Sequence, residues 1–129
     1  MRWTYLCPHC GTMLNPDETV ILVGQHGDTR ILLGFHPEPG TYRAYLPPGV
    51  EVIEGSAWTF SCPLCHASLA TDVAPEQCAL DMLTSGRRLR VYFSRKAGEQ
   101  ATFVVIAEGL VERHGHDAER HSLELLEHV

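Results

Sequence analysis

Apolar and polar positions alternate along much of the chain, and glycine and proline cut the alternation into short pieces. Trp3, Tyr5 and Leu6 make a short strand-like lead, and Leu14-Asn15-Pro16-Asp17 reads as a turn. Thr19 to Val23 is a β-branched apolar run. Gly24-Gln25-His26-Gly27-Asp28 separates it from a second run, Ile31 to Phe35, and that pattern predicts a β-hairpin. His36-Pro37-Glu38-Pro39-Gly40 stops the chain before another strand-like stretch, Thr41 to Leu46, and Pro47-Pro48-Gly49 stops it again. Val50, Val52 and Ile53 predict one more short strand. Trp58 and Phe60 then alternate with Thr59 and Ser61.

In the second half, Pro75 could open a helix that ends at Gly86, but Cys78, Leu80 and Met82 on one face with Asp81 opposite favour a strand. Thr84-Ser85-Gly86 turns into Leu89, Val91 and Phe93. Ala97-Gly98-Glu99-Gln100 turns into Thr102 to Ile106, the strongest β run, so 88–94 and 101–106 should pair as an antiparallel hairpin. Leu110 and Val111 add a short strand. From Asp117 onward, Ala118, His121, Leu125 and Val129 form one stripe and predict a terminal helix. The expected class is therefore mainly β (α+β).

Two pieces of chemistry sit inside this frame, CPHCG at 7–11 and CPLCH at 62–66. Each is a Cys-Pro-x-Cys turn, and together they supply four thiolates, the full set of a tetrahedral zinc site. Pro8 and Pro63 preset φ for the turn. Gly11 tolerates the positive φ needed where the chain leaves the metal. His66 stands at the equivalent place, which implies a strained or differently shaped turn, or an imidazole behind the ligands. The start, MRWTYLC, has no charged-then-apolar leader, so a reducing, cytoplasmic setting is expected and metal binding is favoured over two disulfides.

The two turns resemble those of zinc-ribbon and rubredoxin-like proteins, in which two β-hairpin turns face each other across one ion. The likeness covers Cys7–Gly11, Cys62–Cys65 and the β-rich stretch between them. It implies that Cys7, Cys10, Cys62 and Cys65 hold zinc, or alternatively iron. The 51 residues between the pairs exceed what a minimal ribbon needs. The expected organisation is a ribbon-like region 1–70 with an insertion at 11–61, and a region 71–129 of β-hairpin plus helix packed on it as one domain. Closing a 51-residue loop costs ~3.5 kcal/mol by its length term, whereas structural zinc returns about 10–16 kcal/mol. Zinc can therefore hold a thin core together.

Charge narrows the function. The formal net charge is −6, and four thiolates with one zinc would take it to about −8, which disfavours general binding to nucleic acid. No apolar run approaches the ~20 residues that cross a bilayer. One segment is basic, with Arg87, Arg88, Arg90, Arg95 and Lys96 within ten residues. As a strand it would present Arg88, Arg90 and Tyr92 on one face, suited to an anionic protein surface or, alternatively, to RNA or single-stranded DNA; the plain alternative is a solvated face balanced by carboxylates. His26 and His36 read as solvated, Cys78 as a small buried hydrophobe, and the cluster of His114, His116, Asp117 and His121 as polar residues near an exposed terminal helix. There is no nucleophile elbow, phosphate-cradling loop or HExxH pattern. The sequence reads as a non-catalytic binding or adaptor module with a structural four-cysteine site; iron-based electron transfer is the main alternative.

Overall fold

The computed structural model describes residues 3–39, 41, 44–72, 76–97, 102–107 and 110–115. They form two antiparallel sheets, and there is no helix among the described residues. The terminal helix expected from Asp117, with His116 and His121, lies outside them.

Among the described residues, nine strands run in chain order: β1 Thr4–Leu6, β2 Val20–His26, β3 Thr29–Phe35, β4 Ala44–Tyr45, β5 Thr59–Ser61, β6 Gln77–Thr84, β7 Arg87–Ser94, β8 Thr102–Ala107 and β9 Leu110–His114. The larger sheet has the order β1-β6-β7-β8-β9 and the smaller one β4-β3-β2-β5. The β2–β3 and β7–β8 pairs are the two hairpins that the β runs and the turn residues between them predict. Gln77–Thr84 is strand rather than helix, because it pairs along its whole length with β7. Its apolar face (Cys78, Leu80, Met82) enters the core.

Two expectations change. Residues 50–53 are not a strand: the Val50 amide donates to the Pro47 carbonyl and the Ser56 amide to the Ile53 carbonyl, so turns hold both ends. Ile53, 74% exposed, has a β-branched side chain but no sheet edge to pair with. Among the described residues of Thr41 to Leu46, Ala44–Tyr45 pairs against Phe35 and Gly34; Tyr42 and Arg43 lie outside the described residues.

The way the sheets share strands matters most for the site. β1 precedes the first cysteine turn but pairs with β6, which follows the second. β5 precedes the second turn but pairs with β2, which follows the first. Each cysteine turn thus joins a strand of one sheet to a strand of the other. The apolar faces of both sheets meet in one core, with Tyr5, Leu14, Leu22, Trp58, Phe60, Leu69 and Val91 among its buried members. Phe60 contacts Phe35 and Phe93, with ring centroids 5.7 and 5.6 Å apart.

Candidate metal centre

The first turn is built by backbone bonds. The Cys7 amide donates to the Thr12 carbonyl, the Gly11 amide to the Cys7 carbonyl, and the Leu14 amide to the Tyr5 carbonyl, all at 2.8–2.9 Å. The second turn repeats this pattern: Cys62 to Ala67, His66 to Cys62, and Leu69 to Phe60, at 2.9–3.1 Å. In both, the amides of the third and fourth turn residues point at the first sulfur. His9 and Cys10 lie 3.4 and 3.5 Å from Cys7 Sγ, and Leu64 and Cys65 lie 3.4 and 3.5 Å from Cys62 Sγ. Such donors favour the thiolate over the thiol.

His66 takes φ +63°, close to the +76° of Gly11. The second turn therefore has the shape of the first, with a side chain held in the left-handed region at a cost of about 1–2 kcal/mol. His9 reaches across from the first turn, its Nε2 3.0 Å from the Ser68 carbonyl of the second.

The four sulfurs converge, all within 4.8 Å of one another. Cys7 and Cys65 Sγ are 3.7 Å apart, and Cys10 and Cys62 Sγ 3.8 Å. A tetrahedron with metal–sulfur arms of about 2.3 Å has edges of about 3.8 Å. The donor set and its spacing thus fit a thiolate-bound ion, and this four-cysteine group can hold a metal. Cys7 and Cys62 are fully buried, whereas Cys10 and Cys65 reach the surface. Burial pushes the Cys7 thiol up to about 12, despite the two amides. Burial also raises Cys62, but its backbone donors outweigh that and leave it below the ordinary thiol value. At Cys65 an amide bond lowers the value, and burial with the bonds to Cys10 and Cys62 raises it further, so it ends above. One lowered thiol beside two raised ones is what a shared set of protons produces, and a cation would replace them.

The other residues singled out in the sequence are placed as follows. Arg88 and Arg90 share the outer face of the larger sheet, with side chains 49% and 43% exposed. Both close on the buried Asp81 carboxylate: Arg88 Nε at 2.8 Å, Arg88 Nη2 at 2.7 Å and Arg90 Nε at 2.7 Å. Tyr92 is 5% exposed and packs with Ala79 and Phe103, so its ring is not presented on that face. Strand alternation gives a residue's side of the sheet but not whether that side is covered. Cys78 is buried away from the cluster, and burial raises its thiol to about 11. His26 lies 5.4 Å from Trp58 in a stacked pair, its Nδ1 2.9 Å from the Ala57 carbonyl. His114 bonds Glu112.

One signal was missed in the sequence. Trp3-Thr4-Tyr5-Leu6-Cys7-Pro8-His9-Cys10 and Trp58-Thr59-Phe60-Ser61-Cys62-Pro63-Leu64-Cys65 align with each other, and Leu14 aligns with Leu69. Sliding the chain along itself exposes the repeat, and it marks the buried Trp58, Leu14 and Leu69 as parts of the site's support.

No protein-family model, curated protein or solved structure matches this chain. Among the described residues no helix is long and apolar enough to cross a membrane.

Proposed function

We propose that Cys7, Cys10, Cys62 and Cys65 hold one zinc ion as a structural centre, and that the protein is a non-catalytic binding module of the cytoplasm. The observation that carries this reading is the convergence of four sulfurs at tetrahedral-edge spacing, two of them fully buried. Four thiolates saturate a tetrahedral ion and leave no position for water or substrate. The exchanged strands give the ion its role. Each turn links both sheets, so one ion ties together segments far apart in sequence. Reduced cysteines suit a reducing compartment.

The same four sulfurs accept iron, so metal identity is the first experiment. Protein purified from its host should contain one zinc per chain by elemental analysis. Iron in equal amount, with a charge-transfer colour, would replace this reading with electron transfer. The Arg88 and Arg90 face is the place proposed for an anionic protein partner. Asp81 already neutralises one of the two charges there, and any partner must compete with it. That competition and the net charge of −6 speak against nucleic acid on the same face.

A further inference from the structure

The two sheets do not fill the space between them. A cavity of about 300 Å³ lies in the core, lined from the larger sheet by Leu80, Val91 and Phe93 and from the smaller by Leu22, Leu33 and Phe35. Its open side can be read from exposure. Among the lining residues, Glu38, Thr41, Ala44 and Leu46 are exposed, and Arg95 and Lys96 are half-buried. The mouth therefore lies between Glu38, Thr41, Ala44 and Leu46 and the end of β7.

Two cations, Arg95 and Lys96, stand at this mouth together with one lining carboxylate, Glu38, in a protein of net charge −6. Arg95 Nε donates to the Trp58 carbonyl at 2.8 Å, which fixes its guanidinium stem beside the opening. Lys96 Nζ is 3.6 Å from Glu76 Oε1, and both side chains are partly exposed, at 39% and 52%. An exposed pair at that distance is weak, so Lys96 can be shared with a second anion. A pocket that is apolar within, with a few polar groups at one end, is the usual form of a small-molecule site. At ~30 Å³ for a water-sized group, the cavity takes about ten such groups. A narrow space between two sheets admits a chain-like molecule rather than a folded surface.

We infer that this cavity binds an amphiphile with an anionic head, an alkyl carboxylate of about ten carbons, its tail between the sheets and its carboxylate at Arg95 and Lys96. The inference deepens the binding-module reading and rests on it, while the metal centre stands or falls separately.

The test titrates the full-length, metal-loaded protein with hexanoate, octanoate, decanoate and decanol below their aggregation limits, followed by calorimetry and tryptophan fluorescence. Affinity should rise about fourfold per methylene up to decanoate, and decanoate should bind more tightly than decanol. Lys96→Glu, at an exposed position that does not threaten folding, should weaken decanoate about fivefold and leave decanol unchanged. Val91→Phe, which narrows the cavity, should weaken both. Equal affinity for decanoate and decanol, no rise with chain length, or an unchanged Lys96→Glu titration would each overturn the proposal. Metal content measured on each sample separates the two readings. Protein that holds one zinc and binds no probe overturns the ligand alone, whereas protein that binds decanoate with no metal supports the ligand and overturns the zinc centre.

Discussion

The described residues of 3–45 and 58–107 fold as two versions of one unit, a short strand, a cysteine turn and a hairpin with a further strand. The turns correspond bond for bond, and the hairpins correspond pair for pair. Val20 faces Phe35 as Cys78 faces Phe93, and Leu22 faces Leu33 as Leu80 faces Val91. The contents differ where the backbone leaves room. Gly11 is matched by His66, Asn15 by Ala70, Val20 by Cys78 and Gly24 by Met82. A side chain at Gly24 would bring its Cβ within 2.7 Å of Leu33 and 3.3 Å of Trp58, so the first unit lets an indole lie close to the strand there. Asn15 is fully buried, accepting from the Tyr5 amide at 2.8 Å and donating to the Trp3 carbonyl at 2.7 Å. Ala70 offers no such side chain and instead joins a bridge to Cys78. The comparison teaches that the cysteine turn needs its backbone bonds and buried leucine, while the means of anchoring it can differ.

The largest expected effect treats the units as equals. Because each turn joins both sheets, Cys7→Ser and Cys62→Ser should each release the metal and lower stability by several kcal/mol, a fraction of the apparent zinc affinity of about 10–16 kcal/mol. Chelation should do the same. Metal retained by either variant, with an unchanged melting curve, would break the equivalence and remove the zinc centre with it.

Next comes the Val20 and Cys78 difference. Burial holds the Cys78 thiol at about 11 against an ordinary 9.0, so the folded state keeps a proton that the unfolded state loses. Its contribution is full below pH 9 and is lost as pH rises towards 11, by about 2–3 kcal/mol at 1.36 kcal/mol per unit. Cys78→Val, which copies the first unit, should flatten the stability curve between pH 9 and 11. An identical alkaline slope in the variant would show that Cys78 is not the group responsible.

Asn15→Ala should cost about 2 kcal/mol, since it strands the buried Tyr5 amide and removes the bond to the Trp3 carbonyl. A chemical denaturation midpoint unchanged from wild type would mean that water replaces the side chain without loss. The smallest effect concerns the residue after each turn. Gly11→Ala should destabilise by about 1 kcal/mol, because φ is +76° there. His66→Gly should be neutral or stabilise by up to about 1 kcal/mol. If His66→Gly instead destabilised clearly, the imidazole would be contributing to the turn and the two units would differ in more than filling.

Much of this was legible along the chain because it rests on local rules. Apolar, β-branched runs set between turn signals announced β2, β3, β7 and β8, and the Cys-Pro-x-Cys spacing announced the ligand set, since two residues between cysteines suffice to turn both sulfurs to one point. Residues 50–53 misled because β-branched side chains favour a strand only where an edge stands ready to pair. Tyr92 misled because alternation cannot say which face of a sheet is covered. The exchange of β1 and β5 between the sheets, the Asp81 carboxylate beneath Arg88 and Arg90, and the cavity behind Phe35 and Phe93 lay beyond any local rule. Each joins segments tens of residues apart, and such pairing is chosen by the burial of whole faces rather than by any short run of residues.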